Sequence, residues 1–377
     1  MLLYVCQDGE QPSGVATYGY SMLRHLPDAR MLLLNAAGPP VTAPADLHHR
    51  ITTIPRESSH DPALVAKAID AIAAKHSDGL TLLPNTGDTP WAAAAGWLRD
   101  APPAARLRCR ILGIVHSDME TQYAIADHYA AVAPVWIGVS HRCANELRRR
   151  FSSRSAEVHE LPYPVETSPT LPARDNTGPL RLAYVGRLEE PQKRISRLVP
   201  LFEALAARGI DFRATVAGDG PAAADLADAV RTAAPAVRPR VHLTGAVSPD
   251  SVGAIWRSHD IGILVSDFEG LPLALLEAMA AGVCPVVMRV ESGVDEILAD
   301  GENARVVARG ETGAMAAAIA ELCDDRDQLR RLQRAAWDTS ARYAPKAHFA
   351  ELRRLLARCW SLAPPAASAV APDDTST

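Results

Sequence analysis

No stretch of about 20 consecutive apolar residues occurs in the 377-residue chain, so no membrane-spanning helix is expected. The six cysteines (Cys6, Cys109, Cys143, Cys284, Cys323 and Cys359) include no C-x-x-C pair. That spacing argues against a zinc site and suits a reducing compartment. Positive charge is not in excess. The 39 Lys and Arg are set against 44 Asp and Glu, and the formal net charge of −5 offers no basic field to duplex nucleic acid. The first apolar strand is not preceded by a charged n-region, an apolar h-region and a cleavage site, so the chain reads as cytoplasmic. No repeat recurs at a solenoid period. Ala, Arg and Pro are abundant, as in chains from GC-rich bacterial genomes.

What the chain does have is alternation. Apolar strand-like runs and helical patterns follow one another from Met1 to about Leu161 and again from Arg181 to about Val307. The polar segment Glu166–Leu180 between them carries three prolines and reads as a linker. The resulting division is a domain over residues 1–165, a linker over 166–180 and a second domain over 181–344. A helix over 345–361 follows, with Pro345 suited to its first turn. Residues 362–377, mostly Pro, Ala, Ser and Asp, are expected to be disordered.

The densest chemistry lies in Ser266–Val287. Ile261–Ser266 reads as a buried strand, Pro272 suits the first helical position and Gly282 the position just past the helix end. Val283–Met288 reads as the next strand. This β-turn-α-β unit puts Glu269 in the loop above a strand's carboxyl end and Glu277, eight residues later, in the helix. Open α/β sheets bind ligands in that crevice. Read blandly, the same two residues are a capping and a solvated Glu on an amphipathic helix.

Upstream, the strand Leu182–Val185 ends in Gly186-Arg187-Leu188, and Lys193 follows Arg187 by six residues. A helix is expected from about Arg194 to Arg208, kinked or shortened by Pro200. Two cations after a strand can neutralise a diphosphate, or can be ordinary surface charges. Gly218-Asp219-Gly220-Pro221 is a turn before a helix, and Val241–Val247 a strand and loop.

In the first half, Leu2–Cys6 leads through Gln11–Ser13 to Gly14 and a helix. A Gly-bearing loop ahead of a helix can approach a phosphate or can simply turn the chain. The strand Ile111–Val115 ends in His116, Ser117 and Asp118; a His at a strand's carboxyl end sits where α/β domains place active sites, or is simply a satisfied core or surface residue. Asp118 and Glu120 suit acceptor contacts and helix capping equally, and Asn85–Asp88 is a turn on the same rim.

Together, E-G-L-P-L-A-L-L-E and G-R-L with its trailing Lys resemble the signatures of retaining GT-B glycosyltransferases of family 4. The resemblance is strong over Arg181–Val307 and moderate over Met1–Leu161. It implies two Rossmann-like βαβ domains facing a central cleft, with a carboxy-terminal helix crossing back to the first. It also implies roles. Glu269 with Gly270, Leu271 and Pro272 would hold the donor sugar, and Glu277 the ribose. Arg187 and Lys193, with Gly186, would stabilise the departing diphosphate, assisted by the Gly14 loop. Ala246 and Val247 would meet the nucleobase, and His116 the reacting face of the sugar. Two departures stand out: Arg194 occupies a position where the family often has Gly, and the Gly14 loop has one glycine at its core where two adjacent ones are usual.

The implied partners are a UDP- or GDP-linked sugar and a hydroxyl acceptor on a saccharide, a lipid-linked saccharide or a small metabolite. No cofactor and no metal are expected. Asp325 and Asp327 form an Asp-x-Asp, but in a charged helical stretch rather than after a strand. The basic runs Arg142 with Arg148–Arg150, and Arg353–Arg354, are solvated helix faces or a peripheral contact with an anionic membrane. Two other classes remain open. A sugar-nucleotide 2-epimerase of GT-B fold would release an epimerised nucleotide sugar without acceptor, and a non-catalytic sugar-nucleotide-binding protein would turn nothing over.

Overall fold

The computed structural model describes residues 1–7, 14–34, 44–76, 78–85, 87–154, 156–174 and 178–364. Gln11–Ser13, Thr86, Asp175–Thr177 of the linker and residues 365–377 of the expected tail lie outside that set. Contacts divide the chain into two units, Met1–Tyr163 with the return segment from Pro345, and Pro164–Ala344.

The first unit is built on seven strands: β1 (Leu2–Gln7), β2 (Ala29–Leu34), β3 (Ile51–Ile54), β4 (Leu80–Pro84), β5 (Cys109–Val115), β6 (Val135–Gly138) and β7 (Glu157–Glu160). Their spatial order is β3-β2-β1-β4-β5-β6-β7, and every neighbouring pair is parallel. The second unit has β8 (Leu180–Val185), β9 (Phe212–Ala217), β10 (Val241–Gly245), β11 (Ile261–Leu264), β12 (Cys284–Met288) and β13 (Arg305–Val307). Their order is β10-β9-β8-β11-β12-β13, again all parallel.

The central strands read as apolar runs because helices cover both faces of each sheet. In β8, Leu180, Leu182 and Tyr184 enter a core with Phe202, Phe212 and Val286, while Ala183 turns to the opposite core of Trp256, Ala278 and Val283. Each fully buried Leu or Phe contributes about 1.5–3 kcal/mol. The linker packs within the second unit, where Trp337 Nε1 donates to Ser168 O at 3.1 Å. The last helix, Pro345–Ser361, buries Phe349, Leu352, Leu355 and Cys359 in the first unit.

Chain order reverses at β8, which has β9 on one side and β11 on the other, and likewise at β1 between β2 and β4. A crevice opens at the strand carboxyl ends at such a reversal, so these are the two places where a ligand is expected.

Three local expectations need correcting. Pro272 is the cap of the helix Leu273–Ala280, not its first residue, with φ −69° and ψ 114°. β11 ends at Leu264, leaving Val265 and Ser266 to the loop. The helix after Lys193 begins later than expected. A 3-10 turn, Ile195–Arg197, precedes the α-helix Leu198–Ala207, so Pro200 falls in the first α-helical turn, where a missing N–H is tolerated.

Candidate functional site

In the second unit, the loops after β8, β9 and β10 lock together through their main chains. Gly186 N donates to Ala217 O at 3.0 Å, Leu188 N to Asp219 O at 2.9 Å, and Gly218 N to Gly245 O at 3.0 Å. Two glycines make this approach feasible. Gly218 has φ 145°, and a Cβ there would lie 1.9 Å from Gly186 O. Gly220 has φ 156°, and its Cβ would lie 2.4 Å from Leu188 O. Tyr184 donates its hydroxyl hydrogen to Arg187 O at 3.0 Å, fixing the turn from within the sheet.

The loop carrying Gln192 and Lys193 is joined to the loop after β11. Asp267 N donates to Gln192 O at 2.9 Å, and Gln192 Nε2 donates to Phe268 O and to Glu269 Oε2, both at 3.2 Å. Lys193 Nζ donates to Glu269 Oε1 at 2.7 Å and to Oε2 at 3.0 Å. Glu269 is buried and Lys193 nearly so. The cation read as a phosphate ligand and the carboxylate read as a sugar ligand thus hold one another. Arg187 is exposed, and its guanidinium donates to Glu189 at 2.8 Å.

Arg194 takes the left-handed conformation, φ 50° and ψ 46°, and pairs with Asp267. It is the one described non-glycine residue with positive φ, which gives a physical reason for glycine to be common there. Arg197 also reaches Asp267, at 2.7 Å, and donates to Val265 O at 2.8 Å. Burial works to raise the Asp267 carboxyl, but Arg194 and Arg197 hold it below its usual range.

Gly270 and Leu271 are buried beside Glu269, and Gly270 O accepts from Gly293 N at 2.8 Å. Ser266 Oγ is buried there without a hydrogen-bond partner among the described residues. Glu277 lies on the helix Leu273–Ala280, outside the Lys193–Glu269 pair. Burial pushes its carboxyl up to about 7, and the Trp256 indole works against that rise. Ala246 is exposed and Val247 half-buried, in the loop tied to Gly218.

In the first unit, Gly14 opens the helix Gly14–His25 and is exposed. His116 follows β5 and is buried. Its main-chain N–H and that of Ser117 donate to Gln122 Oε1, at 2.8 and 3.0 Å. Its Nδ1 is hydrogen-bonded to the Tyr163 hydroxyl, and its Nε2 is buried with no partner among the described residues. Burial holds the imidazole neutral, with its pKa lowered to about 3. Tyr18 packs against both rings and against His348, which the return helix supplies.

Asp118 accepts from Tyr123 at 2.7 Å and pairs with Arg142, and Glu120 pairs with Arg150 at 2.5 Å. Arg150 is also paired with Asp127 and Glu146, and Arg354 with Glu351. These pairs favour the solvated-face reading of the basic runs. Among the described residues no group of three or more His, Cys, Asp or Glu could hold a metal ion. Asp325 caps the helix Arg326–Ser340, and Asp327 pairs with Arg330. No described helix is long and apolar enough to cross a membrane.

Sequence reasoning missed Gln192, Asp267 and Arg197, although each lies within or beside a motif it used. It also missed Tyr163, Tyr18 and His348. Only packing brings these to His116, across 47 residues in the case of Tyr163.

The loops after β8, β9, β10 and β11 fall inside a recognised segment. Residues 179–325 match the family model described as glycosyl transferases group 1. Alpha-D-kanosaminyltransferase of Streptomyces kanamyceticus is 28% identical over 217 residues, 54% of this chain and 55% of that protein. MMP alpha-(1->4)-mannosyltransferase of Mycolicibacterium hassiacum is 25% identical over 203 residues, 53% of this chain and 47% of its own. The chain spans about half the length of the curated relatives it matches. Among solved structures, Anabaena HepE in complex with UDP-glucose superposes with a TM-score of 0.74 at 17% identity, over 95% of this chain and 99% of its own. TarM of S. aureus gives 0.66 at 14% identity, over 80% and 59%. The likeness gives the fold: two Rossmann-like units with parallel sheets, as in GT-B glycosyltransferases.

Proposed function

We propose that the chain is a glycosyltransferase of the retaining, family 4 type, moving a sugar from a UDP- or GDP-linked donor to an acceptor hydroxyl. The observation that carries the reading is the cluster at the β8/β11 reversal. Lys193 and Gln192 hold Glu269 there, with Arg187 on the adjoining turn. Matches to proteins named as glycosyltransferases, and a fold shared with a UDP-glucose complex, support it.

In this reading Glu269, Gly270, Leu271 and Pro272 orient the sugar, and Glu277 holds the ribose. Ala246 and Val247 flank the base, and Gly186 lines the diphosphate. Lys193 has a third N–H beyond the two given to Glu269, and Arg187 can leave Glu189 for phosphate at little cost, because exposed ion pairs contribute only about 0–1 kcal/mol. Both cations stabilise the charge that develops as the bond between sugar C1 and the diphosphate oxygen breaks. The acceptor oxygen bonds to C1 on the face the diphosphate leaves, and its proton passes to the departing phosphate. No metal is assigned, since Arg187 and Lys193 supply the positive charge.

The test is turnover of UDP- and GDP-sugars with saccharide, lipid-linked and small-metabolite acceptors, with NMR of the product's anomeric centre. Retained configuration supports the proposal. An inverted product contradicts retention, an epimerised nucleotide sugar formed without acceptor makes the protein an epimerase, and tight donor binding without turnover makes it a binding protein.

A further inference from the structure

His116 and Tyr163 form a buried pair whose hydrogens can be counted. The rings are stacked, with centroids 5.8 Å apart and planes 15° from parallel, and the Tyr163 hydroxyl is bonded to His116 Nδ1. Tyr18 is the neighbouring hydroxyl, but its hydrogen is already used. His348 Nδ1–H donates to Pro162 O at 2.8 Å, so Nε2 of this ring, kept neutral by burial, accepts from the Tyr18 hydroxyl at 3.1 Å.

Two hydrogen placements remain for His116. If Nδ1 carries the proton and donates to Tyr163, the Tyr163 hydrogen and the Nε2 lone pair are both buried without partners. If Tyr163 donates to Nδ1, the Nε2–H and the Tyr163 oxygen lone pair are instead left without partners among the described residues. Each placement strands one hydrogen and one acceptor, so the bond itself decides: a phenol hydrogen is the better donor and an imidazole nitrogen the better acceptor, and the second placement is favoured.

We propose that Tyr163 is a positioning residue that donates to His116 Nδ1 and fixes the ring as the Nε2–H tautomer. His116 then presents a hydrogen-bond donor rather than a base, and the ligand atom it meets is an oxygen acceptor, a hydroxyl or ether. That this oxygen belongs to a donor sugar rests on the glycosyltransferase reading; the tautomer does not.

The experiment is long-range proton–nitrogen correlation NMR on the full chain labelled with 15N-histidine. The His116 signals are identified by their loss in His116→Gln. The wild type should show His116 as Nε2–H. Tyr163→Phe, which keeps the ring stack and deletes the hydroxyl, should lose that pattern for Nδ1–H or a mixture. Tyr18→Phe should change His348 and leave His116 as it is. A wild-type His116 in the Nδ1–H form overturns the proposal, as does a Tyr163→Phe spectrum that keeps the Nε2–H pattern. If Tyr163→Phe fails to fold, the wild-type spectrum alone decides. No nucleotide sugar is needed, so the result stands apart from the assignment of activity.

Discussion

Lys193→Met should destabilise the second unit well beyond the loss of a surface ion pair. The Lys193 side chain is 17% exposed and that of Glu269 is 4% exposed, and their contact is 2.7 Å. Removing the ammonium leaves a buried carboxylate with Gln192 Nε2, at 3.2 Å, as its remaining side-chain partner. Breaking a buried pair from one side costs about 3–5 kcal/mol. Lys193 keeps some contact with water, which places this case near the lower end, at about 3 kcal/mol. Glu269→Gln should cost less, about 1–2 kcal/mol, because the amide oxygen still accepts and the ammonium can turn to water. The double variant leaves no uncompensated charge, so its cost should fall short of the sum by about 1–3 kcal/mol. Urea unfolding of the four proteins, followed by tryptophan fluorescence, measures the cycle. Additive costs, with Lys193→Met below about 1 kcal/mol, would refute the reasoning and mean that Glu269 is solvated.

Gly218→Ala puts a Cβ 1.9 Å from Gly186 O at φ 145°, and should cost at least about 2 kcal/mol by the same unfolding assay. Arg194→Gly should be more stable than Arg194→Ala by about 1 kcal/mol, since both lose the Asp267 pair and only glycine is relaxed at φ 50°. Equal midpoints would contradict a left-handed residue there. Glu277 titrates near 7 in the folded chain against 4.5 ordinarily, so the folded state holds its proton more tightly. That contribution is complete below pH 4.5 and lost as pH rises through 7. Wild type should therefore lose stability relative to Glu277→Gln across that window, by about 3 kcal/mol, whereas parallel pH profiles would show the carboxyl to be solvated.

The parts of the fold that were legible in the sequence are those where local pattern and tertiary structure agree. Apolar runs such as Ile261–Leu264 and Cys284–Met288 form parallel strands because both faces of the sheet are covered. Gly282 ends its helix at φ 71°, as a glycine past a helix end should. The glutamate spacing placed Glu269 in a loop and Glu277 on a helix, since that follows from where the strand stops and Pro272 intervenes. What was not legible is pairwise. Nothing in the composition of either loop says that Lys193 rests on Glu269, 76 residues away. Nor does anything near His116 announce Tyr163 or His348. The helical pattern gave no sign of the left-handed backbone at Arg194; its one hint was the glycine that the family often has there.

The measurement that tests the central claim most directly is a thermal-shift titration of the wild type and Arg187→Ala with UDP, GDP, ADP and their sugar conjugates. A ligand bound by the native state alone stabilises it by about 2.7 kcal/mol at 100 times its dissociation constant. One nucleotide family should raise the wild-type melting temperature, and the same concentrations should raise that of Arg187→Ala distinctly less. No shift with any nucleotide, or equal shifts in both proteins, would contradict a nucleotide-sugar site built on the β8 and β11 loops.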